Sequence, residues 1–265
     1  MTTPIRDMTN AFSVKGLSVI VTGGNRGIGL GISAAFAQSG ANVVILCRNK
    51  ESGDKAAEGL KQYGVESCCI ACDTSSFDSV KAAVKEVYKV FDAVGVLVNN
   101  AGVSTVTEFL KDKDLKEWHR VINTNLNGPA HMIYEVVPHM IEAGKGGSII
   151  NISSLGGQSP SGSRHHPKSV YHASKAALDM FTKSMAIELG DYGIRVNGVA
   201  PGPTHSDLDK DLPPEAFKHI EMSMPMHRFG EPIEIGALCV FLSSEAGNHI
   251  TGTVCLHDGG LVLGG

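Results

Sequence analysis

Short apolar runs alternate with amphipathic stretches along nearly the whole chain. The runs at 18–22, 42–47, 67–71, 96–99, 148–152, 195–200 and 254–256 are close to continuously apolar and read as strands. Between them apolar residues recur at helical spacing. Ile32, Ala35 and Phe36 do so within 29–40, and Val80, Val84, Val87 and Phe91 share one face of 76–91. Further helices are expected at 50–63, 115–140, 171–189 and 233–242. Strands without a polar alternate face belong to a parallel sheet covered on both sides. The strand–helix alternation therefore predicts an α/β fold, a single-domain, doubly wound parallel sheet with helices on both faces. No linker and no internal repeat interrupts it, so 1–265 reads as one domain. The stretch 204–228 breaks the alternation. Pro203, Pro213, Pro214 and Pro225 surround a short helical piece there, which reads as a flap outside the sheet.

Composition narrows the function classes. Apolar residues make up 42% and charged residues 19% of the 265 positions, which is globular rather than disordered usage. Lys and Arg number 23 against 27 Asp and Glu, a net charge of −4, which argues against a nucleic-acid binder. The longest apolar runs fall far short of a membrane span, and 1–14 lacks the apolar core of a signal peptide, so the expectation is cytoplasmic. Cys69 and Cys72 have the CxxC spacing of zinc or redox sites. No second Cys/His pair lies nearby, and the run reads better as a buried strand with free thiols; no metal site is expected.

The first strand ends in Thr22-Gly23-Gly24-Asn25-Arg26-Gly27-Ile28-Gly29 and a helix follows. In this Rossmann-type context the glycines let the backbone turn tightly against a pyrophosphate, and the helix N-terminus offers it free N–H groups. A carboxylate ending the second strand would bond the ribose hydroxyls of NAD. This chain has Cys47-Arg48 there, and Arg26 in the glycine turn. Two arginines and no acid favour NADP(H) over NAD(H), through charge-assisted bonds to a 2′-phosphate. Asp73, ending the third strand, is a candidate partner for the adenine amino group or a cap for the next helix.

Tyr171 and Lys175 stand four apart at the start of a strong helix and so share a face. A free phenol titrates near pH ~10. A neighbouring ammonium favours phenolate and makes the phenol usable as an acid or base near neutrality. Ser153 and Ser154 end the fifth strand just upstream. Together with Asp73, Asn99-Asn100-Ala101-Gly102, Asn125 and Pro201-Gly202, in this order, these motifs resemble the short-chain dehydrogenase/reductase family over 15–260. The resemblance implies a carbonyl/secondary-alcohol oxidoreductase. It makes Tyr171 the proton donor, Ser154 rather than Ser153 the polarising hydroxyl, Lys175 the ribose contact, and Asn125 the holder of a relay water. It implies cofactor contacts from Gly23, Asn25, Arg26, Gly27, Ile28, Gly29, Arg48, Asp73, Asn100, Gly102, Tyr171, Lys175, Pro201, Gly202 and Thr204. Negative charge growing on a carbonyl oxygen would be stabilised by the Ser154 and Tyr171 hydroxyls.

The stretch between Ser154 and Tyr171 is longer than in many members of that family. Its 159–169 loop carries Arg164, His165, His166 and Lys168, which fits an anionic substrate such as a sugar acid, or a solvated or subunit-contact loop. Met222, Met224, Met226 and Phe229 of the flap fit a greasy substrate or packing on the nicotinamide. The wording near both termini resembles sugar and polyol reductases, so a sugar, polyol or sugar acid is the expected substrate. A hydroxysteroid or a beta-ketoacyl-carrier-protein substrate stays open, as does a catalytically silent NADP-binding scaffold. The apolar faces of 126–140 and 171–189 suit a homo-oligomer, a tetramer or dimer, and the apolar tail from Leu261 suits docking on a neighbour.

Overall fold

The computed structural model describes residues 8–160, 167–205 and 214–263. The strands are β1 (Ser18–Thr22), β2 (Asn42–Cys47), β3 (Ser67–Ala71), β4 (Val96–Asn99), β5 (Gly147–Ile152), β6 (Ile194–Pro201) and β7 (Val254–His257). All are parallel and form a seven-stranded sheet in the order β3-β2-β1-β4-β5-β6-β7. The helices are α1 (Gly27–Gln38), α2 (Lys50–Leu60), α3 (Phe77–Val90), α4 (Lys116–Ile122), α5 (Gly128–Ala143), α6 (Ser169–Leu189), α7 (Pro214–Ser223) and α8 (Pro232–Ser243). The chain winds outward from β1 to β3, returns across β1 to β4, and winds out again to β7. Strand order thus reverses between β1 and β4, where such sheets leave a crevice at their carboxyl ends.

Two apolar layers explain why the strands read as unbroken runs. Val19, Val21, Val43, Ile45, Val98 and Ile150 pack against α1 and α8. The intervening Ile20, Val44, Leu46, Leu97 and Ile149 pack on the opposite face against α3, α5 and α6. Each side chain so buried contributes about 1.5–3 kcal/mol. Alternation between two dry faces leaves no polar position to mark the period. Helices α1 and α8 approach closely because their contact is made of small residues. A Cβ on Gly31 would collide with Pro232, and one on Gly236 would lie 2.6 Å from the Cβ of Ala35.

The expected helix over 115–140 is broken. It consists of α4, a π-helical segment Asn123–Asn127, and α5. The break has local causes. Pro129 has no N–H to return to the carbonyl of Asn125, and the Thr124 hydroxyl donates to the Arg120 carbonyl instead, at 2.9 Å. Upstream, the Asp112 carboxylate caps α4 by accepting from the N–H groups of Glu117 (2.9 Å) and Trp118 (2.8 Å). In the flap, the short helical piece is α7. Met224 and Phe229 are buried and Phe229 stacks on Phe217 at 4.1 Å, while Met222 and Met226 are exposed. Within the loop before α6, Arg164, His165 and His166 lie outside the described residues. Lys168 immediately precedes α6 and is half-buried.

Candidate active site

The glycine turn after β1 is strapped to β4. The Asn100 side chain donates to the carbonyls of Thr22 (2.9 Å) and Gly23 (3.3 Å), while the Thr22 hydroxyl accepts from the N–H groups of Asn100 (2.9 Å) and Ala101 (3.0 Å). A Cβ on Gly29 would meet the Gly23 carbonyl and come within 2.5 Å of the Asn100 amide, so only glycine lets α1 start this close to the turn. The result is a backbone cradle at the N-terminus of α1, with Arg26 at its N-cap and no side chain capping the free N–H groups. This is the shape and polarity that a pyrophosphate needs.

Arg26 and Arg48 are both exposed and neither is ion-paired with a described residue. No acid replaces the missing one at the end of β2. The Cys47 thiol is buried, donates to the Asn49 carbonyl at 3.1 Å, and lies 3.6 Å from the Cys69 sulfur. Burial pushes both thiols up, Cys69 to about 12, and all the cysteines are free. Among the described residues no cluster of His, Cys, Asp or Glu is arranged to hold a metal ion. Asn25 donates to the Ser52 hydroxyl at 2.9 Å, joining the glycine turn to the start of α2. Asp73 does not cap α3; Ser76 does. One oxygen of Asp73 accepts from the Ser75 N–H and hydroxyl, closing the turn after β3.

On the other side of the crevice, β5 delivers the two serines to different places. The Ser154 hydroxyl lies beside the Tyr171 phenol and works to lower its pKa, and its oxygen accepts from the Gly156 N–H at 3.1 Å. Ser153 turns inward, toward Asp179 and the Lys175 carbonyl, and so separates from the Ser154–Tyr171 pair. Lys175 is only 4% exposed. Its ammonium donates to the Ile152 carbonyl at 2.7 Å and lies 5.8 Å from the centre of the Tyr171 ring. Burial holds the lysine down at about 8.

Burial pushes the Tyr171 phenol up, and the Ser154 hydroxyl works against this. The Asn125 side-chain amide is engaged by the protein. Its oxygen accepts from the Val103 N–H (2.8 Å), and its nitrogen donates to the Val103 carbonyl (2.9 Å) and the Ser174 hydroxyl (3.1 Å). It is a strut that fixes the segment after Gly102 against α6. Pro201 and Gly202 end β6. The Gly202 N–H donates to the His257 carbonyl, and the buried Thr204 donates back to the Gly202 carbonyl at 3.1 Å. All the sequence-derived site residues thus line the carboxyl edge of β1 to β6. Missed from the sequence were the Thr22 hydroxyl, Ser174 and Asp179. The only available signal was Asp179, a carboxylate four residues after Lys175 on a helix face that is otherwise buried.

Known proteins with this arrangement are close at hand. A family profile described as "Enoyl-(Acyl carrier protein) reductase" matches residues 23–262. A 3-oxoacyl-[acyl-carrier-protein] reductase, FabG, of Staphylococcus aureus is 36% identical over 247 residues, covering 93% of this chain and 98% of the relative. The crystal structure of a short-chain type dehydrogenase/reductase from Mycobacterium marinum superposes with a TM-score of 0.89 at 30% identity, covering 96% of this chain and 99% of that one. A gluconate 5-dehydrogenase from Burkholderia cenocepacia, solved with NADP and tartrate, gives 0.88 at 31% identity over 96% of this chain and 98% of that one. With its glycine cradle and its Ser154, Tyr171 and Lys175 at one edge of the sheet, this chain belongs to the short-chain dehydrogenase/reductase family and is an oxidoreductase acting on CH–OH groups.

Proposed function

We propose that the protein is an NADP(H)-dependent reductase of a 3-oxoacyl thioester. The carrying observation is the Ser154–Tyr171 hydroxyl pair above the buried Lys175 ammonium, facing a cradle with two unpaired arginines and no acid. When bound, the nicotinamide supplies the hydride. Tyr171 Oη gives its proton to the carbonyl oxygen as negative charge grows there. Ser154 Oγ, held by the Gly156 N–H, donates a second hydrogen bond to that oxygen. Lys175 keeps a positive charge below the phenol and is the group placed to hold the nicotinamide ribose. Arg26 and Arg48 take the 2′-phosphate, Asp73 the adenine amino group, and Gly23, Asn25, Gly27, Ile28 and Gly29 the pyrophosphate. Asn100 and Gly102 support the nicotinamide half, with Pro201, Gly202 and Thr204 on its far side. Asn125 acts by holding Val103 and Ser174 in place.

The acyl-thioester assignment replaces the sugar expectation as the main reading. It is supported by the FabG relatives that align along nearly the whole chain. Exposed apolar side chains on the segment after β4 (Val106, Phe109, Leu110) and on the flap (Met222, Met226) also suit an acyl chain. A sugar acid is the second reading, favoured by the likeness to the gluconate 5-dehydrogenase. The chain acts as one catalytic domain with a substrate flap at about 204–228, in the cytoplasm, as a homo-oligomer. Among the described residues no helix is long and apolar enough to cross a membrane.

The test is a fluorescence titration with NADPH and NADH, then turnover on acetoacetyl-CoA, 5-ketogluconate and a ketosteroid. Tighter NADPH binding with turnover of the thioester is expected. Turnover of 5-ketogluconate alone would move the assignment to the second reading. Failure to bind either nucleotide would overturn both.

A further inference from the structure

Below the proposed catalytic pair lies a buried carboxylate with no role so far. Asp179 sits one turn after Lys175 on α6 and is only 8% exposed. Its Oδ1 is buried and has no hydrogen-bond partner among the described residues, while the neighbouring Ser153 hydroxyl donates to the Lys175 carbonyl at 3.4 Å. Ser153 is also pinned through its backbone, whose N–H donates to the Val199 carbonyl at 2.7 Å. The turn after β5 presses onto the same place. A Cβ on Gly157 would lie 3.0 Å from the Asp179 Oδ2 and 2.9 Å from the Lys175 carbonyl carbon. Asp179 therefore stands where the end of β5, the turn carrying Ser154, and the helix carrying Tyr171 and Lys175 all meet.

We infer that Asp179 is a positioning residue for the reaction: it is the buried counter-charge of Lys175 and, packed under Gly157, a support of the turn that presents Ser154. A buried ammonium with a single carbonyl acceptor is poorly compensated. Asp179 is not in direct contact with it, but in this dry setting a carboxylate one turn away still favours the charged lysine. Burial raises Asp179 itself, and the nearby Ser153 hydroxyl and the Lys175 and Lys183 ammoniums work against this. Among the described residues, Tyr171 and Lys175 toward the site and Lys183 toward solvent are the titratable groups around it. Ser153, Gly157, Gln158 and Thr253 supply no further charge from the neighbouring elements.

This inference rests on the proposed roles of Lys175 and Tyr171. The experiment compares Asp179→Asn, Asp179→Glu and Ser153→Ala with the wild type. It measures kcat/KM for NADPH-dependent reduction of acetoacetyl-CoA between pH 6 and 10, with circular dichroism to check folding. Removing a nearby negative charge lowers the pKa of both Lys175 and Tyr171, so the alkaline limb of Asp179→Asn should move to lower pH. Its activity relative to wild type should drop about 3- to 10-fold more at pH 9 than at pH 6.5. Asp179→Glu should restore the limb. Ser153→Ala should lower kcat without moving the limb. A folded Asp179→Asn enzyme with an unmoved limb, or with an equal loss at every pH, would overturn the inference. Lys175→Met separates the underlying reading: if it keeps wild-type kcat/KM, the assigned role of Lys175 fails, whatever Asp179→Asn does.

Discussion

A few side chains at the proposed site are held in states that cost stability. Lys175 is the clearest case. Burial lowers it to about 8, far below an ordinary lysine, so the charged form is disfavoured in the folded chain relative to the unfolded one. That penalty is complete below pH 8 and is relieved as pH rises from 8 toward the unfolded value near 10.5. Wild type should therefore gain about 2 kcal/mol on Lys175→Met between pH 7 and 9.5, read by urea denaturation. A constant difference between the two proteins across that range would show that the ammonium is well solvated. The arginines predict differently. Replacing Arg26 and Arg48 together by alanine removes charge-assisted bonds worth roughly 1.5–3 kcal/mol each. NADPH affinity should fall at least ~100-fold while NADH affinity barely changes, as measured by nucleotide fluorescence. An equal loss for both nucleotides would assign the arginines to the pyrophosphate.

At the scale of elements, close approach and interruption matter more than helix propensity. The α1–α8 contact tolerates no side chain at Gly31, which faces Pro232. Gly31→Val should destabilise the fold by roughly 3 kcal/mol or more, visible as a lower urea midpoint. It should also weaken NADPH binding, because the same helix begins in the phosphate cradle. A change in stability with unaltered binding would mean that the cradle is set by the Asn100 strap alone. The π-helical Asn123–Asn127 segment makes a complementary point. The apolar periodicity of 115–140 is real on both sides of it. Yet Pro129 and the inward Asn125 amide shift the register, and this places Asn125 within reach of Val103 and Ser174.

For the whole molecule, the outer faces of α5 and α6 carry exposed Tyr134, Met180 and Ile187. Apolar groups so placed on long neighbouring helices suit pairing with a second copy. Sedimentation should give a dimer or tetramer, and Ile187→Glu should shift it to a smaller species; a monomeric wild type would end this reading. The sequence by itself determined where each strand lies, that the sheet is parallel and doubly covered, and that a glycine turn and a Tyr–Lys pair sit at its edge. Those features are local. They are written in runs, spacings and residue types that a short window contains. Only the tertiary structure decided that the Asn125 amide is engaged by Val103 and Ser174, that burial raises the Tyr171 phenol, and that Asp179 lies beneath the site. Each of these depends on burial and on contacts between residues far apart in the chain, because desolvation and hydrogen-bond partners belong to the packed molecule and have no signature in any single segment.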